Sequence, residues 1–195
     1  QIINHGYLAV DFFFMLSGFV IGYAYDDRWN RMSMGTFFKR RLIRLQPMVV
    51  MGSFVGAALF WFQKAPCYPT MEDVSVGALL LVMLLGCTLL PLPLKWDIRG
   101  WMEMHPLNGP AWSLYYEYIG NILYALFIRK FSKTALTVFV AIAACFTVHH
   151  CLTAPAGDIV GGWALNWEQQ YVGLVRLMYP FFGGLLLSRL GWLIR

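Results

Sequence analysis

The sequence predicts an all-α, polytopic membrane bundle of five or six membrane segments, and three observations predict it. Of its 195 residues 59% are hydrophobic and only 13% are charged, where a soluble domain carries roughly 25% charge. The apolar residues are gathered into six runs, 7–25, 47–62, 74–90, 111–128, 134–148 and 171–194, and runs of that kind read as membrane spans rather than core helices. The bases, by contrast, concentrate between runs. Residues 26–46 hold six (Arg28, Arg31, Lys39, Arg40, Arg41, Arg44) against two acids, Asp26 and Asp27.

The net charge of +5 is therefore local. Basic loops are routine on the cytoplasmic side of membrane proteins, so nucleic-acid binding is not expected. The four cysteines, Cys67, Cys87, Cys145 and Cys151, show no CxxC spacing and no cluster with His. They are expected to be small buried hydrophobes, and no metal site is expected. The chain opens on Gln rather than Met, shows no signal-peptide pattern, and is expected to be a fragment of a longer chain.

The first run, 7–25, is interrupted only by Asp11. On a helix Asp11, Gly18, Gly22 and Tyr25 share a face, and Gly18 with Gly22 makes a GxxxG pair that admits a neighbouring helix closely. A carboxylate at membrane depth is costly, so Asp11 faces a partner or a cavity, or tethers nearby backbone at the interface. Residues 34–44 read as a short amphipathic surface helix, with the bases between Phe37, Phe38, Leu42 and Leu45. Pro47 then opens the second span, in a first helical turn that tolerates it. The second and third runs are uncharged and are joined by a loop with Pro66 and Pro69. A polar loop, 95–110, carries Trp96, Trp101 and His105, as expected at a membrane interface.

The fourth run contains Glu117. Ser113, Glu117, Asn121 and Tyr124 lie at helical spacing, and such a polar stripe looks into a protein interior or a wet cavity. The fifth run ends at His149 and His150. The sixth carries Arg176 early and Arg189 late, with Arg176, Pro180, Gly183 and Gly184 on one face. Orientation is in conflict. If all six runs cross, Arg129–Lys133 falls opposite the basic 26–46 loop. If 74–90 is re-entrant, both basic segments and the basic C-terminal end share one side, as the charge rule favours.

Read from residue types alone, Arg40, Arg41 and Arg44 are presented together by one helix. They suit a phosphate or diphosphate group, although spacing alone favours a plain positive anchor for lipid head groups.

Four motifs in order, GYLAVDFFFMLSGFVI, FFKRRLIRLQP, NGPAWSLYYEYIGNILYAL and RLMYPFFGGLLL, resemble the acyltransferase 3 family of membrane-bound O-acyltransferases. The resemblance covers nearly the whole chain. It implies a fold of about ten spans, of which this chain is a single, partial, membrane-embedded domain over 1–195. It implies an acyl-CoA donor, usually acetyl-CoA from the cytoplasm, a hydroxyl-bearing acceptor such as a bacterial envelope glycan, and no metal. Arg41 and Arg44, with Arg40, resemble the family's donor-binding arginines. Trp112, Ser113 and Glu117 match its WSLxxE motif, Asp11 its aspartate, and Arg176 with Pro180, Phe181 and Gly184 its R…PFxxG pattern. The family's essential histidine precedes the aspartate motif by more than His5 does, so that role is not carried onto His5. The fragment alone is expected to be inactive.

The resulting expectation is acyl transfer in the bacterial inner membrane, with loop 26–46 cytoplasmic. Arg40, Arg41 and Arg44 would bind coenzyme A phosphates. Glu117 would support a catalytic group, and Asp11, Trp112, Ser113 and Arg176 would be polar tethers, Asp11 and Arg176 conceivably as an ion pair. The competing class is a transporter or flippase without transfer chemistry, since intramembrane acids and bases also mark transport pathways.

Overall fold

In the computed structural model, which describes residues 5–65 and 67–191, six α-helices carry the chain: α1 (Ala9–Tyr25), α2 (Met34–Phe62), α3 (Val76–Gly86), α4 (Ala111–Leu126), α5 (Lys133–Thr153) and α6 (Trp167–Leu190). Pro66 and the end of the sixth run at 192–194 lie outside the described residues. Among the described residues four helical stretches, those of α1, α2, α5 and α6, are long and apolar enough to cross a bilayer. Large apolar side chains such as Phe12, Leu59 and Leu152 are exposed, as lipid-facing positions require. The chain is an integral membrane protein.

Contacts divide the chain into two compact units. One takes in residues up to 34 with 116–162 and 171 onward; the other takes in 35–115 and 163–170.

In the first unit α1 and α6 touch backbone to backbone. A Cβ on Gly18 would stand 1.8 Å from the Phe181 carbonyl oxygen, and one on Gly184 would stand 1.9 Å from that of Met15. Only glycine permits such an approach from both sides. The helices run in the same direction, because Asp11 pairs with Arg176 and, further along both, Asp26 pairs with Arg189. The same holds for α1 and α4: Ser17 bonds Glu117, and later Asp26 bonds Tyr124. Ser132 caps α5 by accepting from the Ala135 amide at 3.1 Å, and α5 returns the chain from the Arg129 end.

In the second unit α2 is continuous over 29 residues with Pro47 inside it. This corrects the expected surface helix over 34–44 followed by a separate span. Proline costs one backbone hydrogen bond, which a long helix in a membrane protein accommodates. At about 43 Å by helical rise, α2 exceeds a hydrocarbon core of about 30 Å, so its basic first turns extend past the apolar layer.

The third run holds only an 11-residue helix, about 16 Å long and too short to cross. It descends antiparallel to α2. Leu79 and Val82 pack with Ala57 and Phe60, Gly86 meets Ser53, and the Gln46 amide donates to the Cys87 carbonyl. The chain then turns back, and Leu92 rejoins Ala57 and Phe60. The third run is therefore a re-entrant hairpin. The parallel course of α1 and α4 agrees independently. If α3 crossed as well as α2, α4 would run against α1.

The cysteines correct another expectation. Cys67 and Cys145 are exposed, while Cys87 and Cys151 are half-buried. His105, expected at the interface, is buried at 2% exposure.

Candidate functional site

The polar residues of the membrane runs turn inward in the first unit. Asp11 sits in the first turn of α1. Arg176, 2% exposed, reaches it through two bonds, Nε to Oδ1 at 3.1 Å and Nη2 to Oδ2 at 2.9 Å. The same guanidinium donates to the Tyr7 carbonyl at 2.8 Å and the Gly161 carbonyl at 3.2 Å. It lies 5.9 Å from the Tyr7 ring centroid. A buried cation is tolerable when its planar fork is matched in this way. The pair fixes the start of α1 to α6 and to the segment before α6.

Further along α1, the Ser17 hydroxyl donates to Glu117 Oε1 at 2.5 Å. Ser17 is buried and Glu117 half-buried. Asn121 follows on the same face of α4 and is fully buried. Among the described residues its carboxamide has no hydrogen-bond partner, and a buried amide without one points to water or a ligand at that place. Tyr124 closes the stripe. Its hydroxyl donates to Asp26 Oδ1 at 2.7 Å and accepts from Trp29 Nε1 at 2.9 Å. Ser113, the expected first member, bonds its own turn at the Pro110 carbonyl.

A second cluster closes the far end. Asp26 receives Arg189 through Nε at 2.6 Å and Nη2 at 3.2 Å. Arg189 also caps the Phe131 and Arg129 carbonyls, and the Arg129 guanidinium lies over the Trp29 ring at 4.4 Å. Arg28, Arg31, Arg129, Lys130 and Arg189 thus mark one end of the first unit. No spacing in the sequence pairs Asp26 with Arg189, and none singles out Ser17 within the DFFFMLSGF motif. Helical spacing identifies a face but not the helix opposite it.

In the second unit the three expected donor-binding arginines separate by burial. Arg40 and Arg44 are exposed on the first turns of α2, while Arg41 is 1% exposed. Trp112 is buried at the start of α4. Asp11, Glu117 and Arg176 belong to the first unit, and Arg40, Arg41, Arg44, Trp112 and Ser113 to the second. Burial pushes the Glu103 carboxyl above its ordinary range, with Arg99 pulling it back, and pushes the His105 imidazole down to about 4. Among the described residues no three His, Cys, Asp or Glu side chains gather to hold a metal ion.

The Acyltransferase domain family, acyltransferase 3, matches residues 1–195. The chain is 32% identical over 145 residues to "Protein 2 in picA locus" of Rhizobium radiobacter, covering 71% of this chain and 74% of that protein. It is 30% identical over 130 residues to "Acyltransferase MdmB" of Streptomyces mycarofaciens, covering 66% of this chain and 30% of that protein. No solved structure matches.

Proposed function

This chain belongs to the acyltransferase 3 family, and from that membership we propose that it transfers an acyl group, acetyl in the simplest case, from acyl-CoA to a hydroxyl of a carbohydrate or similar acceptor. In that reaction the acceptor oxygen bonds the thioester carbonyl carbon, the C–S bond breaks, and the hydroxyl proton ends on the coenzyme A sulfur. Glu117, fixed by Ser17, orients or charge-balances the group that moves the proton. Arg40, Arg41 and Arg44 hold the phosphates of the donor. The basic segment 26–46 faces the cytoplasm of a bacterial inner membrane, where acyl-CoA is found.

The observation that carries the donor assignment is that one helix presents Arg40 and Arg44 exposed on its first turns, beside the buried Arg41. Exposed guanidinium forks one helical turn apart suit a diphosphate.

The test is retention of radiolabelled acetyl-CoA by membranes carrying the protein. Arg44→Ala is expected to weaken retention, and Arg28→Ala to leave it unchanged. Equal effects would reduce the cluster to a generic anchor. No movement of label to any hydroxyl acceptor would favour a transporter.

A further inference from the structure

The second unit contains a cavity of about 320 Å³ that no part of the donor reading uses. It follows α2 from Gly52 past Gly56 and Leu59 to Gln63, and its other wall is Arg99 with Leu107, Asn108 and Gly109. It extends about 16 Å along α2, from mid-helix to the end remote from Arg40–Arg44.

The wall is unusual for its position. Residues 104–107 are buried and not helical. They hang from two backbone bonds, Leu92 N–H to the Met104 carbonyl and Met104 N–H to the Trp163 carbonyl. The next residues press onto α2: a Cβ on Gly56 would stand 1.6 Å from the Leu107 carbonyl oxygen, and one on Gly52 would stand 2.4 Å from Asn108 Nδ2. Irregular backbone against the middle of a membrane helix persists where it is buried in protein or lines a wet cavity. Here it does both, and it brings a carboxamide to the cavity floor.

Three polar side chains line the cavity, Asn108 at its mid-helix end, Gln63 at its rim and Arg99 in the wall across from α2. Asn108 Nδ2 points at the Val49 carbonyl across a long 3.4 Å. Gln63 is held at the rim by donating to the Pro69 carbonyl at 2.8 Å. Arg99 is fixed by the Pro106 carbonyl at 3.0 Å, by Glu103 at 3.7 Å and by stacking 4.7 Å from the Trp101 centroid. Carboxamides donate and accept, as hydroxyls do. A single cation with a carboxylate beside it does not suit a diphosphate. The buried Phe60 and Leu107 supply an apolar side for C–H groups. The volume lies at the small end of ligand pockets.

The geometry points to a subsite for an uncharged polyhydroxyl compound the size of one sugar ring, bound between α2 and residues 99–109. It is the acceptor subsite of the transfer reaction and rests on that reading. Donor and acceptor then approach from opposite ends of α2.

The probe is an octyl β-D-glucoside bearing a diazirine, photolysed with the full chain in native membranes. Label is expected in peptides 52–63 and 99–109, suppressed by excess methyl β-D-glucoside. Asn108→Leu, and separately Gln63→Leu at the rim, are expected to lower it on the order of tenfold, as loss of one or two hydrogen bonds predicts. Acetyl-CoA retention, measured on the same membranes, is expected to be unchanged. Label elsewhere, label indifferent to the competing sugar, or full label in both variants overturns the subsite. Specific sugar labelling without acetyl-CoA retention would keep the subsite and overturn the transferase reading.

Discussion

The Ser17 hydroxyl donates to the Glu117 carboxylate at 2.5 Å, joining α1 to α4 at the acid of the WSLxxE motif. That bond holds the Glu117 carboxyl group in one rotamer. Ser17→Ala is expected to reduce acyl transfer about tenfold, from loss of one hydrogen bond, and Ser17→Thr to restore it. Added to Glu117→Gln, Ser17→Ala should cost nothing further, since one interaction is then removed twice. Additive losses, measured as initial rates with radiolabelled donor, would separate the two residues.

Arg176 and Asp11 form a buried pair, 2% and 15% exposed at their side chains. Removing one partner strands the other charge, so Asp11→Ala or Arg176→Ala is expected to destabilise the fold by about 3–5 kcal/mol. Arg176→Lys should not rescue, because an ammonium cannot reproduce the two-point fork. The double change Asp11→Asn with Arg176→Met should be milder than either single one. Thermal unfolding in detergent reads all four.

Gly18 and Gly184 leave no room for a side chain between α1 and α6. Either one changed to Leu forces the helices apart and exposes the Asp11–Arg176 pair. Loss of the monodisperse folded peak on size exclusion is the expected outcome. Gly77→Ala, where an added Cβ meets nothing within 4 Å, is the control and should be neutral or slightly stabilising.

Burial holds the His105 imidazole at about 4, below the ordinary 6.5 or so. The unfolded chain takes up this proton first. Stability should therefore be flat above about pH 7 and fall as pH drops from about 6.5 to about 4, by about 3 kcal/mol in total. His105→Phe should flatten that part of the profile. An unchanged slope would assign the acid sensitivity elsewhere.

The re-entrant α3 predicts that Cys67 and a cysteine at Lys95 lie on one side of the membrane and a cysteine at Arg28 on the other. With the other native cysteines replaced, an impermeant maleimide applied to intact cells should label the first two and spare the third. Opposite labelling of positions 67 and 95 would mean that 74–90 crosses.

The sequence by itself determined the class of the protein and most of its helices, because apolar length and charge placement are dictated by the bilayer and not by neighbours. It also identified the residues that turn inward, Asp11, Glu117, Asn121 and Arg176, since a charged or polar group in hydrocarbon must find company. It set Pro47 at a boundary where the structure runs straight through, because a helix supported by its surroundings absorbs one missing bond. It left the third run undecided, because an apolar stretch looks the same whether it crosses or turns back. Tertiary structure alone decided which groups meet. Ser17 found Glu117, Asp26 found Arg189, and Asn108 reached the middle of α2. Each of these joins segments distant in the chain, and periodicity along one helix carries no information about the helix packed against it.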